Sequence, residues 1–445
     1  MNRDLIKNYL CIMYPVFSLV YFFYLFFSGI RTGIVMTFFL LLGIAGICIL
    51  GLIDLKATED KIFSLYVVYN LLSGIWCIAF GMPAGVFIGE VSTTVLPMML
   101  YYAGRGFDDE YAGRYYHGYI LAALFMGTVG AVLYIWAPQF YIDFSYDNMF
   151  ISLADVPTMR VRMESLTGST VMACLAAYSM CASSFFLRKD DRRSRNIGLV
   201  YIILSIVYAF MANQRSAMFC IILMLLFFNL IDFLVDKRRP LKYLWMEIAA
   251  VAALLLGIFV FVRGVIDKFW ARLSSIPAGF GERSESWIAA VNNMENFWIG
   301  DGLGSRGHRA APYEEYIVAD GGLVKLYAEM GLIGTSLIIF VLALVYIKAF
   351  RKQPPISESK GPVRKLSLVV PELAIVTSAI LMSIGSNVLE MEICAPIVYF
   401  ALGRAVRKLN EDIPGEEYVG AFEDKEQEER EPDMEGAPAA QGDGL

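Results

Sequence analysis

Only two histidines, His117 and His308, occur in 445 residues, so a histidine-built metal centre has almost nothing to draw on. The seven cysteines (Cys11, Cys48, Cys77, Cys174, Cys181, Cys220, Cys394) all fall inside apolar runs. That leaves none for a disulfide in an outward loop and no pair at metal-ligand spacing, and they read as small buried apolar side chains. Charge is scarce at 18% of residues, and no internal duplication is visible. The paired repeats expected of many transporters are therefore missing.

What the chain has instead is apolar length. At 57% hydrophobic and 14% aromatic it is no ordinary globular domain. Twelve runs are long enough to span about 30 Å of hydrocarbon. They lie near 9–30, 32–53, 62–82, 85–103, 115–137, 166–187, 196–212, 215–235, 241–263, 322–349, 366–386 and 388–405. Glu90 and Pro97 interrupt the fourth, and only Gly385 to Leu389 separates the last two. The first run, entered through Asn2-Arg3-Asp4, is too long for a signal peptide's apolar region and is expected to stay. The expected fold is thus an all-α, polytopic transmembrane helix bundle of about twelve spans.

Lysine and arginine orient it. With both termini cytoplasmic, inside loops collect Arg188, Lys189, Arg192, Arg193 and Arg195, then Lys237, Arg238, Arg239 and Lys242. Outside connections hold only Arg31, Arg160, Arg162 and Arg215, apart from the long segment after Arg263. The chain then divides into spans one to nine (1–263), a large outward loop (264–321), spans ten to twelve (322–408) and a tail (409–445). From Glu411 the tail sets thirteen acids against Lys425 and Arg430, so it carries −11 of a total of −6 and leaves the rest at +5. With few large apolar residues it should be a disordered cytoplasmic extension.

Chemistry in such a chain belongs to its polar outward segments, because polar groups are costly against acyl chains. Pro138 to Ser165 interleaves aromatics with Asp143, Asp147 and Asp155, a pattern suiting an interfacial aromatic belt or a sugar-stacking lid. From Glu282 the second outward loop turns helical, with Trp287, Val291, Met294 and Trp298 on one face. Arg283 lies within the first turn, where the helix dipole favours an anion and a guanidinium can grip phosphate. Gly300, Gly302 and Gly304 follow, spaced so that backbone N–H groups can converge on an oxyanion. Arg306 and Arg309 flank His308 just beyond. Asp320 then opens the tenth span, with Lys325 and Glu329 one helical turn apart on one face. Asp320 reads either as a helix N-cap or as a functional carboxylate. Arg215 starts the eighth span after a very short turn, where it either snorkels or points to the same outer cavity as Arg283.

Taken in order, Arg215-Ser216, an R-x-x-x-W helix (Arg283 to Trp287), G-x-G-x-G-S (Gly300 to Ser305) and L-x-x-L-Y-A-E-x-G-L-I-G (Leu323 to Gly334) form a set. It resembles the bacterial O-antigen ligase and O-antigen polymerase (Wzy/WaaL-like) family of integral-membrane glycosyltransferases. The resemblance in pattern covers about 205–340. It implies an enzyme of the bacterial cytoplasmic membrane with an outward active site. The substrate would be a glycan on polyprenyl pyrophosphate, joined without nucleotide sugar, metal or other cofactor.

Partners implied are lipid-linked glycans, membrane lipids and a flippase or chain-length regulator, with no nucleic acid. Arg215 and Arg283 become pyrophosphate ligands, with Arg306 and Arg309 as further candidates, and Lys325 and Glu329 as supporting residues. Ligases of this family carry a histidine where this chain has Asp320-Gly321, and aspartate there resembles polymerases. The general base is then Asp320, which aligns with the motif, or His308, twelve residues earlier; alignment favours Asp320. The reading is a repeat-unit polymerase, with a ligase and a lipid-glycan exporter as alternatives.

Overall fold

The computed structural model describes residues 3–29, 33–53, 55–149, 162–189, 191–234, 276–351 and 365–411. Among the described residues the chain is all helical. Seven helices are long and apolar enough to cross a membrane: α1 (Arg3–Ser28), α3 (Thr58–Ala79), α4 (Ala84–Gly106), α5 (Asp109–Trp136), α7 (Ser169–Leu187), α8 (Arg192–Ala212) and α11 (Gly322–Phe350). Three apolar stretches are shorter: α2 (Ile34–Leu50), the Arg215–Phe228 part of α9 (Arg215–Leu234), and α12 (Val370–Met382). Burial is inverted relative to a water-soluble bundle. Phe27, Ile34, Ile75 and Phe340 face outwards, while Glu59, Asp60, Lys325, Glu329 and Glu372 are buried. Large exposed apolar faces, with charged side chains drawn into an otherwise apolar interior, are what lipid solvation requires, and the chain is a multi-pass membrane protein.

Several expected boundaries shift. The run 241–263, the start of the outward loop up to 275 and the tail from 412 lie outside the described residues. The twelfth run is not a long apolar helix. Its first residues, Val388–Glu390, form a 3-10 turn, and α13 (Ala395–Asn410) starts on Pro396 and ends in Arg404, Arg407 and Lys408. That helix is buried against the last turns of α4 and beside α12. Pro138–Met149, read from sequence as loop, is helix α6, and residues 150–161 lie outside the described set.

Two helices carry the deformations that build the site. In α4 a π-helical turn occupies Val91–Val95. Its cause is Pro97, which has no N–H to give the carbonyl of Thr93, and Leu96 N–H reaches back to Val91 instead. In α11 Gly331 adopts φ 62°, ψ −168° and breaks the helix into two halves. At the centre, α7 is rich in Ala, Ser and Cys and packs on α5, α8 and α12. Small side chains there let the helix backbones approach closely.

Candidate functional site

The break at Gly331 and the glycine loop explain each other. Opening α11 strips hydrogen bonds from its middle, and a gap at this depth is tolerated only if other protein groups fill it. The loop before it does so. Asp301 N–H donates to the Ala328 carbonyl (3.0 Å) and Gly302 N–H to that of Glu329 (2.8 Å). On the far side Leu332 and Ile333 N–H donate to the carbonyls of Phe297 and Trp298, each at 3.0 Å. The contact is backbone on backbone, which is why Gly300 and Gly302 stand at φ 72° and 92° with no room for a Cβ. Replacing Gly302 by alanine would put a methyl 2.6 Å from the Ser73 carbonyl at a left-handed φ. Strain and overpacking together should cost on the order of 2–6 kcal/mol. Gly302→Ala should therefore lower the thermal unfolding midpoint sharply, while Gly281→Ala, with nothing within 4 Å, should leave it unchanged.

The loop's N–H groups do converge on a carboxylate, and that carboxylate is the protein's own. Arg306 N–H (3.1 Å) and Gly304 N–H both donate to Glu329. Gly300, Leu303 and Ser305 N–H are likewise taken by protein oxygens. Arg306, a candidate pyrophosphate ligand, proves to be a buried strut. Its Nε donates to Asp301 at 2.7 Å, Nη1 to the Tyr316 carbonyl and Glu314, and Nη2 to the Asn293 carbonyl and Asp301. Every donor is engaged, so Arg306 fixes the loop and has none left for a ligand. Burial pushes the Asp301 carboxyl up from its usual range, and the Arg306 guanidinium pulls it back.

Lys325 and Glu329 pair as their spacing predicts, at 3.3 Å, and lie deep in the bundle. Two partners were not legible from spacing. Glu90, just before the π turn, meets Lys325 Nζ at 2.6 Å, and Glu390 meets it at 2.5 Å. Oxygens of Glu90, Glu329 and Glu390 lie within 4.8 Å of one another, close enough to hold a metal ion. The Lys325 ammonium already sits among them and pairs with each.

At one end of α11 lies a different, wetter cluster. Arg283 Nη2 pairs with Asp320 Oδ2 at 2.8 Å, both side chains about half exposed (48% and 47%). Trp287 Nε1–H donates to the Asp320 carbonyl, and Asn387 Nδ2–H bonds the carbonyls of Val318 and Ala319 at 3.2 Å. The approach to Asp320 is thereby fixed from both sides. Arg162 is drawn into the same field. Burial pushes its guanidinium below the usual value, Glu164 and Asp320 pull it up, and the charges of Arg215 and Arg283 push it down. Its Nε has no hydrogen-bond partner among the described residues. Asp320 thus pairs with Arg283 and acts on Arg162, which also feels the charges of Arg215 and Arg283. Such a mouth suits a multiply charged anion, which guanidinium forks recognise by charge and shape.

Expectations and geometry divide here. Arg283 and Asp320 form an ion pair, and Arg215 is near enough to feel the Arg283 charge. Asp320 is not a helix cap, since the cap position is Gly321 and no side-chain cap bond is made. Arg283 is not in a first turn, because α10 (Ile276–Asn292) begins seven residues earlier, so the dipole contributes little. Met294 and Trp298 fall beyond the end of that helix. Arg309 lies against Gly89 and Glu90 (3.6 Å), near the buried lysine cluster, and the exposed His308 sits beside it on a 3-10 turn. Arg162 was missed as a site residue; read alone, an arginine in an aromatic connection looks like a headgroup contact. No family model matches the chain, and no curated protein matches it.

Proposed function

We propose that this chain is a polysaccharide polymerase of the bacterial cytoplasmic membrane. It transfers a glycan from polyprenyl pyrophosphate to a sugar hydroxyl of an incoming lipid-linked repeat. The observation that carries this reading is the half-exposed Arg283–Asp320 ion pair at the mouth of α11, with Arg162 and Arg215 close enough to share its electrostatic field. The leaving group is a pyrophosphate, and fixed guanidinium charge stabilises the negative charge that grows on it as the glycosidic bond breaks. The acceptor hydroxyl oxygen attacks the anomeric carbon, its proton passes to the Asp320 carboxylate, and the bonding pair leaves with the bridging phosphate oxygen. Deprotonation in this step requires a positioned base, which favours Asp320 over the exposed His308.

The mouth is taken to face outward, with both termini cytoplasmic. Ser305 is buried, so the accessible probe is Ala311, an exposed residue of the same loop. In a cysteine-free background, Ala311→Cys should react with an impermeant maleimide in intact cells, and Ser194→Cys should not. The reverse pattern sinks the topology. The same site would serve a ligase, and the two separate by acceptor: a polymerase lengthens glycan on its lipid, a ligase moves it to another molecule. The broken helix α11 and its buried charges give the exporter reading one observation in its favour. An exporter would move lipid-linked repeats across vesicles without lengthening them.

A further inference from the structure

Between the first half of α11, the π turn of α4 and the Asn387–Glu390 turn lies a small cavity of about 30 Å³. Its polar lining is Asn70, Thr94, Asn387, Glu329 and Glu390, together with the tyrosines Tyr66 and Tyr399. Asn70 Nδ2–H donates to the Tyr66 carbonyl at 2.8 Å, and Asn387 Nδ2–H to the carbonyls of Val318 and Ala319. Flipping either amide would set oxygen against oxygen, so these bonds fix both Oδ1 atoms as the free ends. Among the described residues neither Oδ1 has a partner, nor does Thr94 Oγ1, and all three residues are more than nine-tenths buried. Unpaired acceptors buried around one small space cost free energy unless a guest bonds them.

Charge points the same way. Glu90, Glu329 and Glu390 face Lys325, and Arg309 reaches Glu90 at 3.6 Å, so three carboxylates meet two cations. Glu392 feels both Arg309 and Glu90 but does not line the cavity, so it does not enter that balance. No other lysine or arginine pairs with the three among the described residues. One uncompensated carboxylate at this depth is expensive. The first half of α11 ends at Met330, in the cavity wall, with the carbonyls of Ala328, Glu329 and Met330 already bonded by Asp301, Gly302 and Tyr69, so the unpaired side-chain oxygens are what remain for a guest.

We propose that this cavity binds one dehydrated monovalent cation of sodium size. Asn70, Thr94, Asn387 and the Glu329–Glu390 carboxylates supply its oxygens. The ammonium of Lys325 fills the point between the three glutamates, so the cation sits beside that cluster. One excess charge calls for a monovalent ion, and the small volume excludes a hydrated one. The π turn acquires a role here, since it turns Thr94 toward the space one turn after Glu90.

The test uses the purified full-length chain in lipid nanodiscs. Retention of ²²Na⁺ and the thermal unfolding midpoint are followed as sodium chloride replaces choline chloride at constant ionic strength and pH. The expected result is saturable binding of one ion per chain and a midpoint that rises with sodium over the same range. Thr94→Val keeps the shape and removes one oxygen, and should raise half-saturation by about tenfold. No retained ²²Na⁺ on the unmodified chain, or a midpoint that follows pH and ignores sodium, would mean a proton neutralises the carboxylate, and overturns the site. So would Thr94→Val binding as the parent does.

Discussion

Arg283→Ala and Arg215→Ala should each cut glycan transfer by on the order of 10²–10³-fold, the usual loss when one fixed donor to a developing anion is removed. Arg215 opens α9 and is partly exposed. Arg283 is about half exposed and forms its ion pair with Asp320, so the variants should insert and unfold like the parent. Lysine at either position should recover only part of the rate, because it keeps the charge and loses the planar fork. Arg162→Ala should also lower transfer, since its guanidinium shares the field of the other two. The measurement is polymer length in membranes alongside the pool of lipid-linked single repeats. Full-length polymer from both alanine variants would finish the shared-pyrophosphate idea.

Asp320→Asn should lose about 10²–10⁴-fold in turnover, the contribution of a positioned general base. The side chain keeps its shape and can still bond Arg283, so donor binding should change little. A base and a mere anchor for Arg283 predict different kinetics. Loss of the base lowers kcat with KM nearly constant; loss of an anchor for Arg283 raises KM for the lipid-linked donor. His308→Gln, an exposed change, should be mild. An active Asp320→Asn beside an inactive His308→Gln would move the proton transfer to the histidine.

The sequence made much of this arrangement legible, for reasons specific to each part. Apolar length announced the long helices, and the i, i+4 spacing announced the Lys325–Glu329 pair. Pro97 registered only as an interruption of the fourth apolar run, and the π turn it produces was not legible from it. The glycine loop suggested N–H groups converging on an oxyanion, while the helix broken at Gly331 that it packs against lay hidden inside an apparently continuous apolar run. The Trp287, Val291, Met294, Trp298 periodicity misplaced both ends of α10, which runs from Ile276 to Asn292 with Pro277 in its first turn. Glu90 could not be joined to Lys325 from sequence, since 235 positions separate them and only packing brings them together. Arg162 shows the same limit at the mouth.

Purified chain and a synthetic polyprenyl pyrophosphate-linked repeat, with no nucleotide sugar and no other protein, test the central claim most directly. The account predicts glycan lengthened by whole repeats with one polyprenyl pyrophosphate released per bond formed, both lost together in Arg283→Ala and Asp320→Asn. Folded protein that binds the lipid yet releases no pyrophosphate, or that releases it equally in both variants, would contradict it.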